Sequence, residues 1–532
     1  MKKYFNKAST GFVIAFSFLL ALSSCETTNL DINDNPNTLT PVSADASLVL
    51  NSIQLSFVGQ HLGLSFQSGD IMRHVHMFGT YASNSGQGSM NGAWANTYSI
   101  ANNLNLIQDL AETNDLANHV GMGQVLEAFA FVNLVDNIGT AVYSEAVSSE
   151  FPQPNLDSGA SIYEAMYAQL NEAITNLSAT GQIQPEDLIY NGDMSKWIKL
   201  ANTLKIKMYV QTKLVGNASA VSDINSILAS GNYIKDLADD FQIQFGTNET
   251  NPDNRHPWFA ANYQINAGNQ YMSNDFMNTL LNDKASPDPR LPYYIYRQTN
   301  TDPSGTLLPC AGDGDFQYCY VGDGYWGRDH ADDEGIPNDG ELRATYGIYP
   351  AGGAYDDASF SFTRDSQNLG GAGIHPVILS SFSKFMLAEA ALPAPVGLGV
   401  TGNPRTYLMQ AMMDSFNKVA NFSGIPMVST DVTAYIDQVL LRYDVATSDE
   451  ERLEIIMLEY YIAMWGNSLE AYNNYRRTGY PELGFSVISN TDFPRSYFLP
   501  DSELNSNDNP NLEQKSLTDQ VFWDTNPAGF ID

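Results

Sequence analysis

The sequence predicts a mostly α-helical protein with one long loop-rich insertion and minor β elements. Two observations predict it. Apolar residues recur at helical spacing along most of the chain, and the pattern fails in one continuous stretch rich in Gly, Asp, Pro and aromatics. With 43% hydrophobic residues over 532 positions, there is enough apolar surface to fill a large core.

The helical patterns fall at 44–61, 92–112, 120–137, 161–177, 195–215, 271–282, 376–391, 404–422 and 450–477. The second places Trp94, Tyr98, Ala101, Asn105 and Gln108 along one side. The third aligns Val125, Ala128, Phe129, Val132 and Val135 on an apolar face with a period near 3.6. Several patterns pair as helix–turn–helix units, without a strict internal repeat. Residues 283–374 form the irregular insertion, and insertions of that length in a folded body are usually functional. No linker-like composition divides the chain, so residues 44–532 are expected to form one body.

The first residues read as an export signal. Lys2, Lys3 and Lys7 precede an apolar run over 12–22, about half the ~20 residues that a membrane span needs. Leu22-Ser23-Ser24-Cys25 resembles the bacterial lipobox, in which small residues admit the chain to a peptidase and the cysteine sulfur takes the lipid. On this reading residues 1–24 are a lipoprotein signal peptide and Cys25 becomes the acylated first residue, palmitate being a typical acyl chain. Several acyl chains, at ~0.8 kcal/mol per buried CH₂, anchor more firmly than one. The alternative is an ordinary secretory signal with an incidental cysteine. Residues 25–43 are polar and turn-rich, as suits a tether.

Sixty acidic against 26 basic residues give a formal charge of −34, which repels phosphate backbones and argues against nucleic-acid binding. After lipidation only Cys310 and Cys319 remain. An oxidising compartment lets them pair across the acidic residues between them, but spacing alone leaves free thiols equally open.

Catalytic patterns are scarce. The chain contains no Gly-x-Ser-x-Gly, His-Glu-x-x-His or Walker A motif. Gly322 to Gly327 fits GxGxxG, but no strand pattern precedes it, no helix pattern follows, and Asp323 would repel a pyrophosphate. Glu127 and Asp136 offer a carboxylate pair for glycoside hydrolysis, against a packing role on their helix. His74 and His76 would share a face on a strand and could ligate metal there; two satisfied histidines are the alternative. In the insertion, Asp323, Asp332, Asp333 and Asp339 belong to an acidic run whose hard oxygens suit a structural Ca²⁺. The EF-hand order is absent, a solvated acidic loop is the alternative, and no cofactor is required.

Aromatics carry the ligand argument. A sugar ring stacks its C–H face on Trp or Tyr while its hydroxyls seek polar partners. Tyr325, Trp326, Tyr346 and Tyr349, with Arg328 and Asp329, offer that mixture in the insertion, and Trp258 is a secondary candidate. The same rings would equally pack the insertion onto the helical body. Trp94, Trp197 and Trp465 are assigned to the core.

A family resemblance joins these segments. Asp31-Ile32-Asn33 with Asn35-Pro36-Asn37, Asp136-Asn137-Ile138-Gly139, Tyr143-Ser144-Glu145-Ala146 and Lys196-Trp197 occur in order. Asp288-Pro289-Arg290, Trp326-Gly327-Arg328-Asp329-His330, Tyr349-Pro350-Ala351-Gly352-Gly353, Glu470-Ala471-Tyr472, Arg476-Arg477 and Phe493-Pro494-Arg495 follow. The series resembles SusD/RagB nutrient-binding outer-membrane lipoproteins, in particular the second SusD-like subgroup. One departure is Leu458-Glu459-Tyr460, where the usual pattern has a Gln-Lys-type pair.

The resemblance implies four tetratricopeptide-like helix pairs in a right-handed scaffold, with loops and small β elements on the other side. It also implies a surface-exposed lipoprotein that binds an oligosaccharide or peptide and delivers it to a TonB-dependent, SusC-like barrel. It implies a non-enzyme in the outer membrane. The competing expectations are a lipid-anchored glycoside hydrolase and a structural or adhesive envelope protein.

Overall fold

Helix α1 (Ala46–Ile71) buries Leu50, Ile53, Phe57 and Leu64, spaced three, four and seven residues apart, which is one face of a helix. The single-turn α2 (Tyr81–Asn84) leads to α3 (Asn91–Ala111), which packs along α1. In α4 (Ala117–Ile138) every residue from Asn118 onward is buried, because helices cover it on several sides. A Cβ on Gly123 would lie 2.7 Å from Leu104 Cδ1, and one on Gly121 2.8 Å from Leu177 Cγ. Hydrogen at those two positions lets α3 and α5 (Gly159–Leu177) close on α4. The short pair β1 (Thr140–Ala141) and β2 (Asp157–Ser158) lies between α4 and α5 in the chain.

The computed structural model describes residues 44–265, 270–484, 486–488 and 492–531, and Ala46–Asp532 cluster as one compact unit. Cys25, the leader before it and the tether through residue 43 lie outside the described residues.

The chain continues through α6 (Met194–Gln211), α7 (Ala220–Ser230), β3 (Phe241–Gln244), α8 (Pro257–Asn262), β4 (Met272–Ser273) and α9 (Asn274–Leu281). The insertion contributes α10 (Leu291–Tyr294), β5 (Ile295–Tyr296), β6 (Gly327–Arg328) and β7 (Thr345–Tyr346). After it come β8 (Ile374–Ile378), α11 (Ser380–Ala390), α12 (Pro404–Ser423), α13 (Ser429–Val445), α14 (Asp449–Ala463), α15 (Ser468–Thr478) and α16 (Asp501–Ser506). Contacts join α1 with α3, α4 with α5, α6 with α7, α11 with α12 and α13 with α14. The protein is therefore mostly helical, built on tetratricopeptide-like helix pairs. No described helix is long and apolar enough to cross a membrane.

Three expectations about elements change. The pattern over 450–477 divides into α14 and α15, broken at Gly466, whose φ is +102°. A Cβ there would meet Pro350 Cγ at 2.7 Å and Pro376 Cγ at 3.1 Å, so a continuing helix would collide with the insertion's end. The pattern at 376–391 begins as β8, antiparallel to β3, and becomes helix only at Ser380, whose N–H donates to Asp240 at 2.7 Å. Helices α7 and α13 are additional. In α13, Val432, Tyr435, Ile436, Val439, Leu440 and Tyr443 form a buried stripe at helical spacing that its β-branched content disguises.

One short ladder closes the insertion on itself and another ties it to the body. Strand β5 runs antiparallel to β7, and β6 runs parallel to β4. Its aromatic anchor is Trp465, fully buried, stacked on Phe276 at 5.0 Å and donating Nε1–H to the Tyr349 carbonyl at 3.1 Å.

Buried charges explain several of the family-like motifs. Asp136 accepts from Tyr163 Oη at 2.5 Å, Trp523 Nε1 at 2.9 Å and Lys207 Nζ at 3.0 Å, and Lys207 also reaches Glu470 at 3.3 Å. Glu389 is held by Arg477 at 2.6 Å and Lys213 at 2.9 Å. Arg290 grips Asp288 at 2.7 Å, while Glu459 lies 3.2 Å from Lys284 and 3.5 Å from Arg290. The departure at Leu458-Glu459 thus places a buried counter-charge beside two cations. Glu127 accepts from Gln169 at 2.7 Å and is buried. With Asp136 enclosed and Glu127 engaged, the pair offers no open face to a glycoside.

Candidate functional site

The site starts from Asp329, next to β6. Its carboxylate accepts Asn274 Nδ2 at 2.6 Å, the Tyr318 N–H at 2.7 Å and the Cys319 N–H at 3.1 Å. These bonds fix the end of the loop that Cys310 and Cys319 close as a disulfide, with Cα atoms 5.6 Å apart. Asp329 therefore positions the loop, and its acceptor sites are taken. The clamp carries Phe316 and Tyr320, both half-buried, to the edge of a cleft.

Arg328 and Tyr271 sit at its base. The Arg328 guanidinium stacks 4.8 Å from the Tyr271 ring and donates to the Glu334 and Gly335 carbonyls at 2.7 and 3.0 Å. Arg343 covers the same ring at 4.1 Å and pairs with Asp339 at 2.8 Å. Tyr271 Oη donates toward the Asp339 carboxylate at 2.8 Å. Asp332 lies 3.4 Å from Arg328; burial raises its carboxyl, and Arg328 opposes the rise. Trp326 lines the cleft and donates Nε1–H to the Thr301 carbonyl at 2.9 Å.

The depression spans about 420 Å³, but the space left between its side chains is only about 20 Å³, room for one or two waters. A ligand would therefore engage the rim, where Leu307, Leu308, Phe316, Tyr320 and Pro337 gather. Beyond Tyr318 lies a wider depression of about 320 Å³ lined by Asp275, Asp283, Glu454 and Glu482.

The sequence candidates divide. Trp326, Arg328 and Asp329 come together in the cleft. Tyr325 is adjacent but buried, its face covered by Arg297 at 4.7 Å. Tyr346, Tyr349 and Trp258 are core residues, correcting their assignment as ligand contacts. Tyr346 is fully enclosed and stacks on Trp258 at 4.2 Å, while Tyr349 lies under Tyr294 at 5.6 Å. Rings already sandwiched by other rings have no face left for a sugar. Tyr271, Phe316 and Arg343 were not singled out; the signal for Arg343 was its place just past the acidic run.

The calcium expectation also changes. Asp332 and Asp339 are neutralised by Arg328 and Arg343, while Asp323 and Asp333 are exposed. Among the described residues no group of three or more His, Cys, Asp or Glu could hold a metal. Melting temperature is expected to be the same with and without EDTA; a fall in chelator would contradict this assignment. His74 donates Nε2–H to the Tyr461 carbonyl at 3.1 Å and bonds Ser468 Oγ through Nδ1 at 2.7 Å, and His76 donates Nε2–H to the Asp332 carbonyl at 3.0 Å. Both are core histidines; His74 is bonded through both ring nitrogens and His76 through Nε2.

The disulfide yields a further prediction. Cys310→Ser with Cys319→Ser should cost about 2–3 kcal/mol through loop-closure entropy. It should also raise amide exchange over 311–320; unchanged exchange would show that Asp329 alone holds the loop.

A paired-helix scaffold with a loop-built cleft is the class that this geometry defines. A family profile described as "Starch-binding associating with outer membrane" (SusD-like) matches residues 36–311. Another, described as SusD and RagB outer membrane lipoprotein, matches 380–495. The chain belongs to the SusD/RagB family.

Solved structures share the fold. One described as a chitin-binding protein is 21% identical, with 91% of this chain and 100% of that chain covered and a TM-score of 0.68. A chitin-binding SusD homologue from Flavobacterium johnsoniae is 18% identical over 90% and 98% of the two chains, TM-score 0.64. A SusD homologue from Bacteroides fragilis is 19% identical over 87% and 93%, TM-score 0.63. No curated protein matches the chain significantly.

Proposed function

We propose that this chain is a lipid-anchored, surface-exposed outer-membrane protein that captures an oligosaccharide and passes it to a TonB-dependent, SusC-like barrel. The observation that carries the proposal is the cleft beside the clamped 310–319 loop. It sets the half-buried rings of Phe316 and Tyr320 on a rigid support, above a base closed by Arg328. Stacking and hydrogen bonding at such a rim favour polyhydroxylated ligands. Family membership and the chitin-binding descriptions of two fold relatives support a glycan over a peptide. The reading requires no covalent chemistry, and Cys25 would supply the anchor.

A soluble Cys25→Ala form should be titrated calorimetrically against neutral oligosaccharides and peptides. Tyr320→Ala and Phe316→Ala are each expected to weaken the glycan that binds about tenfold, the loss of roughly one stacking contact. Unchanged affinity in both variants would remove the cleft from the proposal. A ligand that proved to be peptide would correct the cargo. Co-purification of the acylated protein with a large outer-membrane barrel tests the delivery step, and its absence from gently solubilised membranes would contradict it.

A further inference from the structure

We propose that a second groove, built from α3, the loop after β1 and α16, is a separate binding subsite for a neutral oligosaccharide. It shares its ligand class with the capture reading but no residue with the cleft.

The groove is open to solvent and offers about 310 Å³, comparable with the smaller ligand pockets of proteins. Half-buried Tyr98 makes one wall, backed one turn away on α3 by Trp94, which is a core residue as expected, with ring centroids 5.0 Å apart. Phe151 and Val147, 42% and 43% exposed, make the other. Val147 holds φ at +53°, a conformation that a β-branched side chain adopts only under strain. Neither its exposure nor its backbone serves the core, so the loop keeps two apolar side chains at the surface for another reason.

Glu145 and Glu503 stand at the edges. Glu145 accepts the Asn155 N–H at 2.8 Å and its Nδ2–H at 3.2 Å, and Glu503 accepts Trp94 Nε1–H at 3.2 Å and Asn507 Nδ2–H at 2.8 Å. Two donors orient each carboxylate, and about two lone-pair sites on each remain for a ligand's hydroxyls. Among the described residues no Lys or Arg lines the groove, so sulfated, phosphorylated or uronic ligands are repelled. A pyranose matches the remainder: its C–H face lies on Tyr98 and Phe151 and its hydroxyls donate to the carboxylates.

The test is calorimetry on the soluble Cys25→Ala protein with maltoheptaose, N-acetylchitohexaose and a xyloglucan heptasaccharide. Two binding events are expected for at least one of them. Phe151→Ala and Glu145→Gln should each weaken one event about tenfold and leave the other, which Tyr320→Ala weakens instead. Phe151 is exposed, so its variant tests the groove without threatening the fold, and Trp94→Phe supplies a folded check on the wall. A single event indifferent to Phe151→Ala, or no binding of any of the three, overturns the proposal. So does a Phe151-dependent response to an apolar peptide alone. If Tyr320→Ala is silent and Phe151→Ala removes the sole event, the cleft reading fails and this one stands.

Discussion

Asp136→Ala is expected to lower stability by about 3–5 kcal/mol, the usual cost of removing one partner from a buried ion network. The carboxylate is fully enclosed, and the change would strand Tyr163 Oη and Trp523 Nε1 as well as one side of Lys207. Lys207 would still face Glu470, so the charge is only partly uncompensated. Asp136→Asn keeps an acceptor and should cost less. Denaturant midpoints of the three proteins decide it: equal midpoints for wild type and Asp136→Ala would show that the network contributes little.

The second large effect is acid instability. Burial depresses six of the seven histidines: His74, His76, His256 and His375 to about 3, and His61 and His330 in the same direction, where neighbouring positive groups add to the effect. Unfolded histidine titrates near 6.5. Below that pH the unfolded chain takes up protons that the folded chain refuses, so stability is complete above about 6.5 and falls as pH drops toward 3. Asp70 and Glu127, raised to about 7 by burial, act in the opposite direction over pH 4–7. Burial raises Asp240, Asp275, Asp332 and Glu470 in the same opposing sense, each against a neighbouring cation, and the large histidine shifts leave a net loss of stability between about pH 6.5 and 5. Thermal melts across that interval should fall steadily; a flat profile would mean that water or rearrangement relieves these imidazoles.

Much of the scaffold was legible because its helices are long and their apolar spacing regular. The core placement of Trp197 and Trp465 follows from that spacing, and both are fully buried. The break at Gly466 was not legible, since it depends on Pro350 and Pro376 arriving from distant parts of the chain. The candidate cleft falls in the region that composition singles out, but its lining is not legible residue by residue. Composition marks the insertion as unusual, but it does not say that Trp258 covers Tyr346 or that Arg297 covers Tyr325. Burial of an aromatic face is a tertiary fact. The acidic run misled for a related reason: its counter-charges, Arg328 and Arg343, are set by the turn geometry around Asp332 and Asp339.

Hydrogen–deuterium exchange on the soluble protein, with and without the oligosaccharide that calorimetry selects, tests the central claim most directly. The account predicts ligand-dependent protection over 307–329, where the disulfide-clamped loop forms the rim of the cleft. Saturating ligand that leaves those amides unchanged would contradict it.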